Sequence, residues 1–519
     1  MHIGIDVGGT NTDAVLMDGT TVVASVKQST TSDITSGIVE AISAITDSEI
    51  AASVDAVMIG TTHFTNAVVS GQGLARTGVV RLGLPAGAGI PPMADWPDHL
   101  ADAVGRHVHQ AHGGVEFDGR RISALDPDEL RRIAARLRED RVEAVAITSI
   151  FAPVSADDEN TAAEILTAEL PGVRLSLSHQ LGRIGLIERE NSTIVNAALL
   201  RRAERVTSAF RDALTHVGID APLFLSQNDG TLMDVGFATE YPVATFASGP
   251  TNSMRGAALL SGLSDCLVVD VGGTTADIGA LVGGFPRQAG NDVQIGGVRT
   301  NFRMPDVVAL GLGGGSIVRT DPLRIGPDSV GNELTTRARV FGGSTLTATD
   351  LAVAGGLVTI GDPSLVGDLP DDLMRAGLAL IADRIAEVAD SVRTSAEPIP
   401  LVLVGGGSVL LPERLPGFCT VIRPEHAPVA NAIGAAIAQV GGEVDKMYSF
   451  EGRDREGILA EAKEEAVRRA VGAGAIADTV QIVEVDEVPI AYLPGGSARV
   501  RVKAVGDLAT GTSRPEGGR

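Results

Sequence analysis

Two stretches of the chain carry the same polar residues in the same order. Residues 3–17 read IGIDVGGTNTDAVLM and residues 267–281 read LVVDVGGTTADIGAL. Each is an apolar strand ending in aspartate, a Val-Gly-Gly-Thr turn, a second aspartate and a return strand, so Asp6 corresponds to Asp270 and Asp13 to Asp277. Gly8, Gly9, Gly272 and Gly273 let backbone approach an anion closely. Successive N–H groups in such a turn form an anion nest, and Thr10, Asn11, Thr274 and Thr275 add side-chain donors beside it. A carboxylate cannot face a phosphate without an intervening cation. Asp6 and Asp270 therefore read as inner or outer ligands of Mg²⁺, which favours a few carboxylates plus phosphate oxygens, with Asp13 in the same catalytic group. Two such hairpins facing each other would grip a triphosphate across a cleft and hold its γ-phosphoryl group toward an acceptor. One copy alone would read as an ordinary hairpin turn; the near-repeat argues for the grip. The unit is strand–turn–strand, which excludes a Rossmann fingerprint.

Two further glycine runs follow apolar stretches. VLVGGGSVL at 402–410 places Gly405, Gly406 and Gly407 where a nucleoside can lie flat against backbone, and GLGGGS at 311–316 places Gly313 and Gly314 on the nucleotide or the acceptor side. Of 42 basic residues only Lys27, Lys446, Lys463 and Lys503 are lysines, and none sits in a glycine-rich loop, so a P-loop is excluded. His63 and Asn66 follow the strand at 54–59, where an acceptor-facing residue or a packing residue fits. Asn228 and Asp229 precede Gly230 and read as a turn or as groups that position an acceptor or water. Arg255 reads as a ligand of substrate carboxylate or phosphate, or as an interlobe salt bridge. His107, His109 and His112 alternate as on a strand or hairpin surface, without the carboxylates of a metal site.

The elements that must position these residues alternate strand and helix. Strands are expected at 3–7, 12–17, 21–26, 54–59, 77–82, 142–148, 267–271, 278–282 and 401–404, and helices at 33–45, 127–138, 157–170, 187–217, 252–263, 371–392 and 429–440. A strand, a helix at 454–471 and strands at 479–485 and 498–503 close the chain as a small α/β unit with a polar tail, SRPEGGR. The 519 residues suit two to four domains. The expected division is 1–185, with an insert or lid at 92–123 around Trp96, then 186–440, then 441–519. Net charge is −23, which lacks the basic track of a nucleic-acid reader. Cys266 and Cys419 make neither a disulfide framework nor a zinc site and are expected to be buried. No basic-then-apolar leader and no long apolar run is visible, so a soluble, cytoplasmic protein without membrane contact is expected.

The order of the two DVGGT hairpins and the later VGGGS loop resembles the actin, Hsp70 and sugar-kinase superfamily. More specifically, the chain resembles the hydantoinase/oxoprolinase family, the A-type subunits of ATP-dependent hydantoinases and 5-oxoprolinase. The carrying motifs are IGIDVGGTNTD, GTTHFTNAVV at 60–69, STIVNAAL at 192–199, SQNDGTL at 226–232, FASGPTNSMRGA at 246–257, DVGGTTAD at 270–277, GLGGGSI at 311–317, RIGPDSVG at 324–331 and TATDLAV at 347–353. The sequence departs from the family pattern at Asn11, at Thr251 and Asn252, and at Val308. The resemblance implies an α/β, two-lobed actin-like ATPase fold of ribonuclease H-like type, with a nucleotide cleft and a small C-terminal α/β unit. It implies ATP and Mg²⁺ as cofactors and phosphorylation of a lactam, cyclic amide or carbonyl oxygen. Hydrolysis would fall to a B-type partner subunit, and a homo-oligomer is compatible with the same pattern. A small-molecule kinase and an ATP-gated activator without its own substrate chemistry are the competing readings.

Overall fold

The structure, a computed structural model, describes residues 1–30, 33–181, 185–289, 293–302, 304–393, 395–448, 450, 454–490 and 497–509. The SRPEGGR tail lies outside them. Strands β1 (His2–Val7), β2 (Asn11–Asp18) and β3 (Thr21–Ser29) form an antiparallel meander, and β4 (Ala56–Thr61) returns parallel to β1. A capped helix, Ile34–Ile45, precedes β4: the Asp33 carboxylate accepts from the Ser36 amide and satisfies one of the free N–H groups of the first turn. Strands β5 (Thr77–Leu84), β6 (His107–His112), β7 (Ala144–Ser149) and β8 (Arg174–Leu177) make a separate parallel sheet in the order β6-β5-β7-β8.

The helix Leu186–His216 then leads to β9 (Leu223–Ser226) and β10 (Thr231–Asp234), which join the first sheet beside β4. After the helix Ser248–Ser261 the chain builds a second sheet from β11 (Cys266–Val271), β12 (Ala276–Val282), β13 (Phe285–Pro286), β16 (Val307–Leu310), β19 (Leu401–Val404) and β20 (Val421–Ile422). Two hairpins, β14 (Val293–Ile295) with β15 (Val298–Thr300) and β17 (Ser316–Thr320) with β18 (Leu323–Ser329), project from it. Past the helix Ala430–Ala436, β21 (Gln439–Tyr448), β22 (Gln481–Pro489) and β23 (Ala498–Gly506) return to the first sheet. That sheet has nine strands in the order β22-β23-β21-β10-β9-β4-β1-β2-β3. Its strands therefore cross the boundaries expected at 185/186 and 440/441: the last eighty residues extend the first lobe rather than stand apart.

The 92–123 segment is not an insert. It carries the helix Asp98–Val104 and β6, an edge strand paired with β5. Trp96 is buried in the first-lobe core and donates its indole N–H to Asn191 Oδ1 at 2.7 Å, so it presents no face to a partner. The three histidines lie on that parallel edge strand: His107 Nδ1 meets Asp140 at 3.0 Å and His112 Nδ1 meets Glu129 at 3.0 Å. Cys266 is buried as expected, but Cys419 is exposed, because it follows the short apolar turn at 415–418 rather than lying in a strand. Among the described residues no helix is long and apolar enough to cross a membrane.

Two helices join the lobes. Ala430–Ala436 lies on β1, β2 and β4 of the first sheet, and Ser248–Ser261 packs on β11, β12 and β19 of the second. Their backbones cross in contact: a Cβ on Gly256 would lie 1.9 Å from the Ala430 carbonyl oxygen, and one on Gly434 1.8 Å from that of Asn252. No side chain fits at either place. Gly434→Val is therefore expected to cost about 3 kcal/mol or more, the upper end of overpacking, read as a lowered melting temperature. Gly472→Ala, at a position where a Cβ meets open space, should leave it unchanged.

Candidate functional site

The internal repeat is a repeat of structure. In the first hairpin Asp6 pairs in register with Asp13, and the Gly8 amide donates to the Asn11 carbonyl at 3.0 Å. In the second, Asp270 pairs with Asp277, and the Gly272 amide donates to the Thr275 carbonyl at 2.8 Å. The two turns face each other: a Cβ on Gly273 would sit 3.6 Å from Thr10 Cγ2. Among the described residues none accepts a hydrogen bond from the amides of Gly9, Thr10, Gly273 or Thr274. Those donors are left for a ligand.

Every residue named from the sequence in the two hairpins and in the 405–407 run lines one cavity of about 470 Å³, and so does Gly314. Gly313 lies behind the wall. A Cβ there would lie 2.7 Å from the Gly272 carbonyl oxygen, and the neighbouring amides of Gly314 and Gly315 donate to the Gly272 and Gly273 carbonyls at 3.0 and 2.7 Å. The 311–316 loop thus braces the second hairpin's turn. Gly405 has φ +81°, and a Cβ on it would meet Asp270 Oδ1 at 2.2 Å, so only glycine lets this loop close over the end of β11.

Four carboxylates, Asp6, Asp13, Asp270 and Asp277, share this cavity with one cation, Lys27. Burial pushes the Asp6 carboxyl up to about 7, with Asp13 and Asp270 adding like-charge repulsion against the pull of Lys27. Burial and then Asp270 push Asp277 to about 7. Asp13 and Asp270 are also raised, chiefly by burial. Lys27 Nζ donates to both Asp13 oxygens, at 2.8 and 2.6 Å, and to the Pro428 carbonyl at 3.2 Å. Asn431 Nδ2 donates to Asp6 Oδ2 at 2.9 Å, and the Ser253 hydroxyl donates to Asp270. Asp6 Oδ1 is buried with no hydrogen-bond partner. An orphaned carboxylate oxygen among four crowded carboxyl groups is the donor chemistry of a hard divalent cation. No group of three metal-ligating side chains is preassembled among the described residues, so such an ion would complete its shell with ligand oxygens and water.

Lys27, Asn431 and Ser253 were given no role from the sequence, and Asp277 was noted only as the repeat's counterpart of Asp13. The β2–β3 register, which sets Lys27 opposite Asp13, and the repeat itself, which aligns Asp277 with Asp13, carried a signal for two of them. Asn431 and Ser253 sit on the crossing helices and carry none.

The expected acceptor-side residues do not converge here. Asn66 is exposed at the rim, donating to Thr62 Oγ1 at 3.2 Å. His63 points away, its Nε2 buried without a partner and its pKa lowered to about 4 by burial and then by Arg202. Arg255 bonds to the Gly284 carbonyl and Gln439 and stacks 4.3 Å over Phe285, so it joins the two lobes rather than facing the cavity. Asp229 is locked: burial would raise its pKa, but Lys503 at 2.9 Å and Thr231 hold it down at about 2. Its carboxylate is thus occupied by an ion pair with Lys503 away from the four crowded carboxyl groups. Asn228 and Asp229 line a different cavity.

A two-lobed α/β fold with paired phosphate-type hairpins across a cleft defines the actin-like fold class. The hydantoinase/oxoprolinase N-terminal region matches residues 2–170 and the hydantoinase/oxoprolinase region matches residues 189–402. The chain belongs to the hydantoinase/oxoprolinase family. It is 29% identical over 416 residues to the caprolactamase subunit alpha of Pseudomonas jessenii, covering 74% of this chain and 58% of that one. It is 26% identical over 427 residues to the acetophenone carboxylase gamma subunit of Aromatoleum aromaticum, covering 74% and 57%. The chain thus spans less than two thirds of the length of these relatives. The crystal structure of the ATP-dependent caprolactamase from Pseudomonas jessenii has the same fold, with a TM-score of 0.78 at 21% identity over 98% of this chain and 88% of that one.

Proposed function

We propose that this chain uses ATP to phosphorylate the carbonyl oxygen of a small lactam, cyclic amide or related carbonyl compound, and that a larger partner subunit completes the reaction. The observation that carries this reading is the pair of facing hairpins, with free amides at Gly9, Thr10, Gly273 and Thr274 and carboxylates directly behind them. The amides would hold phosphate oxygens, and Asp6 and Asp270 would hold Mg²⁺, which neutralises charge on the transferring group. Lys27 keeps Asp13 in place beside them. An amide carbonyl is a poor electrophile; once its oxygen carries the phosphoryl group and ADP has left, the carbon is open to water. The adduct expels the ring nitrogen as an amine, leaving an acyl phosphate, and a second water at the acyl carbon releases phosphate and the carboxylate. The relatives, a caprolactamase and an acetophenone carboxylase by name, support this common first step for two different outcomes.

The test is isotopic. A lactam labelled with ¹⁸O in its carbonyl, turned over with ATP and the partner subunit, should deliver the label to inorganic phosphate. Turnover with unlabelled phosphate would overturn the reading. Calorimetry on the chain alone should also show ATP binding that weakens at least about tenfold on chelation of Mg²⁺.

A further inference from the structure

A second cavity, of about 420 Å³, lies beside the first and has its own chemistry. One wall carries His179. Its Nδ1 is 2.6 Å from Glu159, a carboxylate with no exposed surface that also accepts from the Ser149 amide at 2.7 Å, the Ser178 hydroxyl and the His179 amide at 2.9 Å. A carboxylate can only accept here, so Nδ1 carries a proton, and in the neutral imidazole Nε2 presents a lone pair. The imidazole is 18% exposed, and among the described residues nothing hydrogen-bonds Nε2. Arg189, buried, donates to Ser178 Oγ at 3.0 Å and to the Ser149 carbonyl at 2.7 Å, fixing the backbone that holds the pair.

The same cavity is lined by Asn228, whose side-chain amide has no partner among the described residues, with Tyr241 and Phe302 as apolar faces. The two cations at the rim, Lys446 and Arg469, are both engaged by Glu465. Glu465 balances one of the two charges, and Glu443 and Asp445 line the same cavity, so a ligand carboxylate meets no isolated cation there. The arrangement is an acceptor, Nε2, and a donor, Asn228 Nδ2, in a cavity of mixed polar and apolar lining whose carboxylates, Asp229, Glu443 and Asp445, disfavour an anionic ligand.

The fold sets this cavity next to the nucleotide-type cleft. Strands β1, β4 and β9 are parallel neighbours, with Asp6 level with Gly60 and Ile59 level with Leu225. Gln227 and Asn228 therefore leave the same sheet edge two strands from Asp6, roughly 10 Å away. Asn252 bridges the gap: its Nδ2 donates to Ser226 Oγ at 3.1 Å, and a Cβ on Gly60 would touch both that Nδ2 and Asp6 Oδ1.

We propose that this cavity binds a neutral secondary amide, His179 Nε2 accepting the amide N–H and Asn228 donating to the carbonyl. A lactam, whose cis amide presents N–H and C=O side by side, matches that pair. The assignment rests on the carbonyl-phosphorylation reading for its meaning, and is tested apart from it. Without nucleotide, saturation-transfer NMR should detect saturable binding of 2-pyrrolidinone, and N-methyl-2-pyrrolidinone, which lacks the N–H, should bind at least about tenfold more weakly. His179→Asn retains a donor at the Nδ1 position for Glu159 and deletes Nε2. It should keep the parent's melting temperature and lose 2-pyrrolidinone binding about tenfold, as should Asn228→Leu. Parent-like binding by His179→Asn, equal binding of the N-methyl compound, or no saturable binding at all would each overturn the site. His179-dependent binding without ¹⁸O transfer would leave the site standing and sink the phosphorylation reading; transfer with binding indifferent to His179 would do the reverse.

Discussion

Asp6→Asn is expected to give a protein that is more stable without ligand and turns over ATP about a hundredfold more slowly, the upper range for losing a group that holds or orients a metal. The two effects share a cause. Asp6 is 5% exposed, faces Asp13 in register and lies near Asp270, so at neutral pH its charge is held only by cost to the fold. An asparagine fits the same volume, can still accept from Asn431 and carries no charge, which relieves repulsion in the empty cleft. It also removes the anionic oxygen, Oδ1, that no protein group satisfies. A coupled ATPase assay and differential scanning calorimetry at pH 8 read the two changes together. Parent-like turnover would show that the carboxylate has no part in the chemistry; a lowered melting temperature would show that its charge is already neutralised by the protein. Asp13→Asn should behave differently, because Lys27 would then lose both carboxylate contacts and keep only the Pro428 carbonyl.

The hairpins were legible because their information is local. An apolar run ending in aspartate, a Gly-Gly turn and an alternating return strand specify strand–turn–strand without reference to the rest of the chain, and the repeat showed that two of them act together. The long helix Leu186–His216, with its capping glycine at 218, was legible for the same reason. What could not be read was pairing at a distance. Nothing local in HVHQAH says that it lies parallel to β5, because an edge strand with one wet side keeps polar residues and loses its period. Nothing in residues 439–506 says that these strands extend a sheet begun at His2. Asp229 and Arg255 look functional in sequence because charged residues beside glycines often are. Their partners, Lys503 on β23 and Phe285 on β13, come from parts of the chain that only the fold brings near.

The remaining prediction concerns pH, and Asp277→Asn isolates it. Asp277 titrates near 7 in the folded protein, raised by burial and then by Asp270, against an ordinary value of 3.8. Between those values the folded state holds a proton that the unfolded state has lost, so stability falls as pH rises through the window and levels off above about 7. At about 1.4 kcal/mol per unit, the loss is of order 4 kcal/mol. His63 runs the other way: its pKa is lowered to about 4, so its contribution rises with pH up to its unfolded value near 6.5. Asp229, held at about 2, loses its contribution only in strong acid, below this window. The pH profile of the parent alone therefore mixes opposing terms, whereas the difference between parent and variant does not. Asp277→Asn should melt close to the parent at pH 4.5 and progressively above it up to pH 8. Saturating ATP with Mg²⁺ should shrink that gap, since a bound cation favours the ionised parent and has less to offer the amide. A gap that stays constant from pH 4.5 to 8 would place Asp277 in contact with solvent or a fixed cation, and would remove it from the crowded carboxylates on which the nucleotide-cleft reading depends.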